Sequence, residues 1–171
     1  MTDILSVEAR SRHMAKIRGS DTKPEIDFRR ALHSAGFRYR LHDPHLPGRP
    51  DVILKKYRAA VFVHGCFWHR HARCRLAYQP RSRVRFWTDK FDSNRRRDRR
   101  QVRALRNQGW RVLVVWECVL RADTERQRSM KEVVAWLKSD QPVGEIPVRP
   151  IADRIQATGG RAPSERVVVR R

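Results

Sequence analysis

Pro50-Asp51-Val52-Ile53-Leu54-Lys55-Lys56-Tyr57-Arg58-Ala59-Ala60-Val61-Phe62-Val63-His64 is the stretch that decides the fold. Two short apolar runs, 51–54 and 58–63, flank the polar triplet Lys55-Lys56-Tyr57, which is the pattern of a hairpin. Its first strand opens on an acidic residue and its second runs out into a histidine. The chain then continues Gly65-Cys66-Phe67-Trp68-His69-Arg70-His71-Ala72-Arg73-Cys74, which holds two of the three cysteines. Metal-ligand and acid/base side chains at that density point to a metal-using enzyme.

Upstream, Thr22-Lys23-Pro24-Glu25 reads as a capping box with Thr22 as N-cap and Glu25 at N3, and Phe28, Leu32 and Ala35 make one helical face that stops at Gly36. Residues 37–41 read as a strand, and Leu46-Pro47-Gly48-Arg49-Pro50 as a turn. Residues 6–18, with Met14 and Ile17, suggest a short N-terminal helix. Downstream, 84–108 reads as a long basic helix ending at Gly109. Residues 111–116 are a near-continuous apolar strand of the kind buried on both faces of a sheet, and 129–137 an amphipathic helix. Beyond residue 138 periodicity vanishes, so 1–138 is read as one domain and 139–171 as a flexible basic tail. Helix, three strands, helix, strand, helix implies an α/β (α+β) mixed sheet flanked by helices. Asp51 should then lie beside the end of the next strand, where Val63 and His64 emerge.

Lys and Arg number 39 against 18 Asp and Glu, a formal net charge of +21 over 171 residues. Neutralising phosphates releases condensed counterions, so a chain this basic favours a nucleic acid as partner. The bland alternative at this composition is a histone-like structural protein. No apolar run approaches the roughly 20 residues that span a bilayer, and the start of the chain lacks a signal-peptide pattern; a cytoplasmic, nucleoid-associated protein is expected. In a reducing compartment, three cysteines suit metal ligation or buried thiols better than disulfides.

Leu46-Pro47-Gly48-Arg49-Pro50-Asp51, His64-Gly65-Cys66-Phe67-Trp68-His69, Asp98-Arg99-Arg100 and Gly109-Trp110-Arg111-Val112-Leu113-Val114-Val115-Trp116-Glu117-Cys118 resemble, in order, the very short patch repair (Vsr) endonucleases, which nick DNA beside a T·G mismatch. The likeness runs over about residues 10–122. It implies a restriction-endonuclease-like fold, agreeing with the element order. Many nucleases of that fold carry Glu-x-Lys on the strand after the acidic turn, where this chain has Val63-His64-Gly65, a departure the Vsr group shares.

Cys66, His71, Cys74 and Cys118 offer three thiolates and an imidazole, a set that suits a closed tetrahedral zinc, and the resemblance implies a structural Zn²⁺ at these positions. Asp51 can supply a carboxylate oxygen to Mg²⁺, and the resemblance adds the backbone carbonyl of residue 63, here Val63 where the family more often has Thr. His69 is the expected general base, since imidazole titrates near neutral pH. By the same resemblance His64 contacts the phosphate, Glu25 a metal-bound water, and Asp98 orients a histidine. Phe67, Trp68 and Trp87 are expected wedges into a mismatched base stack, where unstacking costs least, with Met14 and Ile17 in the opposite groove. The expected protein is a monomeric, Mg²⁺-dependent nicking endonuclease for mismatched double-stranded DNA, with mismatch-repair proteins or a cytosine methyltransferase as companions. A mismatch-independent nuclease of the same fold and a non-catalytic, zinc-stabilised DNA-binding module are the alternatives. The catalytic reading requires residues 51 and 69 to face one phosphodiester.

Overall fold

A computed structural model describes residues 20–147. Helix α1, Lys23–Ser34, starts with Pro24 in its first turn, where a missing N–H costs nothing. It ends in a Schellman motif: the N–H of Gly36 donates to the His33 carbonyl and that of Phe37 to the Leu32 carbonyl, with Gly36 at φ +85°. Phe37 is thereby committed to the helix end, and the expected strand at 37–41 shrinks to one antiparallel bridge between Arg40 and Ile53. His42, at φ +45°, turns the chain away before a second pair can form.

The hairpin forms as the sequence implies. Strand β1, Val52–Leu54, pairs antiparallel with β2, Ala59–His64, through Val52↔Val61 and Leu54↔Ala59. A 3₁₀ turn at Lys55–Tyr57 and a left-handed Arg58 join them. The chain then makes a one-turn helix α2, Cys66–His69, and the long helix α3, Val84–Asn107. Strand β3, Arg111–Trp116, lies parallel to β2, with His64 opposite Trp116.

The period-two alternation of these strands feeds two cores. Ala59, Val61, Leu113 and Val115 face Phe28 and Leu32 of α1 and Val133, Trp136 and Leu137 of helix α4, Asp123–Lys138. Ala60, Phe62 and Val112 face Leu105 and Val102 of α3. Helices thus cover both faces of a mixed sheet, the restriction-endonuclease-like arrangement. Helix α4 begins six residues before the expected 129, because its first turns are polar and exposed and show no apolar period; Asp123 and Glu125 there suit the helix dipole.

The sheet also continues past the expected domain end at residue 138. Strand β4, Val143–Ile146, lies parallel to β3 and completes the order β1-β2-β3-β4. Ile146 is buried and Val143 exposed. Gly144 lies so close to Trp136 that a Cβ there would come 2.3 Å from its Nε1. A four-residue edge strand is too short to show alternation, and its glycine reads as a loop signal. The expected N-terminal helix with Met14 and Ile17, and the tail beyond residue 147, lie outside the described residues. No described helix is long and apolar enough to cross a membrane.

Candidate active site and metal centre

The first turn of α1, the segment leading into β1, the end of β2, helix α2 and the middle of α3 meet around an open groove of about 1010 Å³. Glu25, Asp51, Val63, His64, His69 and Asp98 all line it. Asp51, one residue before β1, accepts a 2.7 Å hydrogen bond from the Val63 N–H at its Oδ2. In an extended strand the N–H and C=O of one residue point to the same side, so the Val63 carbonyl leaves β2 on the side that Asp51 occupies. Burial pushes the Asp51 carboxyl up to about 6, against the Val63 hydrogen bond and with the charge of Glu25. A carboxylate so penalised gains most from a nearby cation.

His64 closes β2 and His69 closes α2, and their rings stack at 3.8 Å with planes 13° apart. Burial, then the neighbouring His69, hold His64 down to about 3, so it is neutral at physiological pH. His69 Nδ1 lies 2.6 Å from Asp98 Oδ2 on α3. Burial raises the Asp98 carboxyl, but the hydrogen bond and charge of His69 outweigh it and leave it lowered. An ionised carboxylate only accepts, so His69 carries a proton on Nδ1, the arrangement that in a neutral imidazole leaves the Nε2 lone pair open to take a proton.

Glu25 departs from the capping-box expectation in detail. Thr22 is the N-cap, but its hydroxyl donates to Glu25 Oε1, and Glu25 Oε2 accepts from the backbone N–H of Asp21. The carboxylate is held on the groove wall at 6% exposure.

Behind the groove, Cys66, His71, Cys74 and Cys118 converge, their ligand atoms all within 4.8 Å of one another. His71 Nδ1 is 3.6 Å from Cys66 Sγ and 3.4 Å from Cys118 Sγ. A tetrahedral ion with bonds of about 2.3 Å to sulfur and about 2.0–2.1 Å to nitrogen spaces its ligand atoms roughly 3.6 Å apart. Three cysteine sulfurs and one imidazole, with the Cys66 and Cys118 sulfurs at about that spacing from His71 Nδ1, suit such a metal. The His71 ring stacks on Trp116 at 4.3 Å, and Cys118 lies on the 3₁₀ turn Glu117–Leu120 after β3. An ion here would tie the segment after β2 to the sheet.

The expected wedge residues are brought together. Phe67 contacts Trp68, Tyr78, Trp87 and Phe91, with ring centroids 4.9–5.3 Å apart. Trp68 lines the groove, whereas Trp87 is only 8% exposed and packs as a core aromatic between Phe67 and Phe91. Tyr78 and Phe86 are the exposed aromatics of this cluster.

Sequence reasoning missed the residues that brace the site. The buried Asn94 amide donates to the Trp68 carbonyl, tying α2 to α3. Glu117 Oε2 accepts the Cys66 N–H at the start of α2. Arg29 joins Asp21, Glu25 and His42. Neither Asn94 nor Arg29 belongs to a motif, and Glu117, inside the Gly109–Cys118 block, carried no expected role; Asn94, one turn before Asp98 on a basic helix, is a detectable oddity.

With this geometry in place, the relatives of the chain are informative. The family model described as DNA mismatch endonuclease Vsr matches residues 2–75. The type II nicking enzyme V.XorIIP of Xanthomonas oryzae pv. oryzae is 49% identical over 120 residues, covering 70% of this chain and 88% of the relative. The type II nicking enzyme V.NmeAIP of Neisseria meningitidis serogroup A is 40% identical over 138 residues, 81% and 98% of the two chains. The DNA mismatch endonuclease Vsr of Escherichia coli is 44% identical over 121 residues, 71% and 77% of the two chains. An acid/base groove on a restriction-endonuclease-like sheet and relatives matched over most of their length agree: the chain belongs to the Vsr DNA mismatch endonuclease family and is a DNA endonuclease.

Proposed function

We propose that the protein nicks one strand of double-stranded DNA beside a T·G mismatch, by hydrolysis that requires Mg²⁺ at Asp51 and the Val63 carbonyl and uses His69 as general base. The observation that carries this reading is the pair formed by His69 Nδ1 and Asp98, 2.6 Å apart, in the same groove as a carboxyl raised to about 6. A divalent ion bound at Asp51 would polarise the scissile phosphate and stabilise charge on its oxygens. Asp98 holds His69 in the tautomer whose Nε2 accepts a proton from the attacking water. His64, neutral and stacked on His69, can donate to a phosphate oxygen without repelling an incoming cation. Glu25 would accept from a water bound to such an ion.

Cys66, His71, Cys74 and Cys118 would hold Zn²⁺ as a structural ion, fixing the loop that carries His69. The mismatch preference is attributed to Phe67, Trp68 and Trp87, helped by Met14 and Ile17 from the N-terminal segment. Insertion of Phe67 would exchange its four ring contacts for base stacking, which is cheapest at a mismatched step. The net charge of +21 supplies phosphate affinity irrespective of sequence. The protein acts as a monomer, and a cytosine methyltransferase or mismatch-repair proteins are its companions.

The test is single-turnover nicking of T·G and matched duplexes in Mg²⁺ by wild type, Asp51→Ala and His69→Ala. Nicking confined to the T·G duplex and lost in both variants is expected. Equal cleavage of the two duplexes refutes the mismatch preference, and an undiminished His69→Ala rate refutes the base.

A further inference from the structure

Asp21, Glu25 and His42 form another cluster at the groove, with ligand atoms within 4.8 Å of one another. Two carboxylates and an imidazole would by themselves invite a cation. The guanidinium of Arg29 already reaches all three. Its Nη1 lies 2.5 Å from Asp21 Oδ1, and its Nη2 lies 3.2 Å from Glu25 Oε2 and 2.9 Å from His42 Nε2. Arginine only donates, so in this contact His42 Nε2 is the acceptor. Arg29 is 7% exposed.

The backbone converges on this side chain from two directions. Glu25 and Arg29 are four residues apart on α1, one turn on the same face. Asp21 and His42 reach it from flanking segments, at φ +55° and +45°, a conformation uncommon outside glycine. Glu25, His42 and Asp51 line the groove, whereas Arg29 stands behind that wall. Its charge nevertheless acts on the Asp51 carboxyl in the sense opposite to that of Glu25.

We propose that Arg29 is a positioning residue: its guanidinium stands as a fixed cation within the Asp21–Glu25–His42 cluster, excludes a divalent ion from it, and holds the Glu25 carboxylate in the pose that serves the ion site at Asp51. The proposal rests on the reading of Asp51 as the hydrolytic ion's ligand. A planar fork can reach three acceptors at once, and a lysine ammonium keeps the charge but not the reach.

The test compares wild type, Arg29→Met, Arg29→Lys and Asp51→Ala. Mn²⁺ binding is measured without DNA by electron paramagnetic resonance of the free ion, and single-turnover nicking is measured against Mg²⁺ concentration. The Arg29→Met protein is expected to bind one Mn²⁺ more per chain than wild type, and adding Asp21→Asn is expected to remove it. Both Arg29 variants are expected to need at least tenfold more Mg²⁺ for half-maximal nicking, with the rate at saturating Mg²⁺ moved far less, a split that a folding defect does not produce. An unchanged Mn²⁺ stoichiometry in Arg29→Met, or an unchanged half-saturation in Arg29→Lys, overturns the proposal. If circular dichroism shows Arg29→Met unfolded, Asp21→Asn, at an exposed side chain, joins Arg29→Lys, and an unmoved half-saturation in either overturns it. Wild-type nicking by Asp51→Ala refutes the underlying assignment instead.

Discussion

Replacing Asp51 by Asn should abolish nicking and yet stabilise the magnesium-free protein. The side chain is confined at the mouth of the hairpin, where burial raises its pKa from the ordinary 3.8 to about 6. The folded state therefore binds this proton more tightly than the unfolded chain does. Between pH 4 and 6 the native state holds more protons, so stability falls as pH rises through that window. A displacement from 3.8 to about 6 corresponds to a loss of about 3 kcal/mol, fully developed above pH 6. The Asn carboxamide is isosteric, still accepts the Val63 N–H and never ionises, so it escapes that loss. Urea unfolding of both proteins in magnesium-free buffer, without chelator so that an ion bound at the cysteine centre would be kept, should show nearly equal stability at pH 4. At pH 7.5 Asn should be ahead by about 1–3 kcal/mol. Millimolar Mg²⁺ should restore the wild type selectively, because only its carboxylate gains a partner. Equal stabilities at both pH values, or a destabilised Asn protein at pH 7.5, would refute the view that this carboxyl is held at an energetic cost for a cation.

Asp98→Asn should slow single-turnover nicking by about 100- to 10,000-fold, because a carboxamide that donates to His69 Nδ1 leaves the proton on Nε2 and removes the base; the equivalent exchange in a serine protease triad sets the upper end. Asp98→Ala leaves both tautomers available and should lose less, so an Asn variant as active as wild type would sink the orientation role. Cys118→Ser should purify with less than about half an equivalent of zinc by elemental analysis and unfold well below wild type, since structural metal binding contributes directly to folding free energy; full zinc content would count against the four-ligand centre. Gly144→Ala should destabilise by about 1–3 kcal/mol through overpacking against Trp136, read as a lowered melting temperature, and an unchanged one would argue that β4 is not part of the cooperative fold.

The local patterns of this sequence carry most of the architecture. Apolar runs at 51–54, 58–63 and 111–116 each became a strand, and the Phe28/Leu32 and Phe91/Leu105 spacings each became a helix, because burying an apolar face dictates period two or 3.6 whatever the partner. The crowding of chemistry-bearing side chains was equally legible, since three histidines and two cysteines fall within eleven residues, and the fold does bring them to the groove and the cysteine cluster. Tertiary structure alone decided what these patterns could not encode. The segment at 37–41 lost its strand to the cap of α1 and the turn at His42, and β4 gained its place only because β3 offered an open edge and Gly144 lets Trp136 approach. Asp98 became the partner of His69, 29 residues away, and Arg29 took the centre of an acidic cluster because the fold carried two loops to the same guanidinium. Periodicity is a property of neighbours along the chain, whereas hydrogen-bond partners and the burial that sets the Asp51 carboxyl near 6 are properties of neighbours in space.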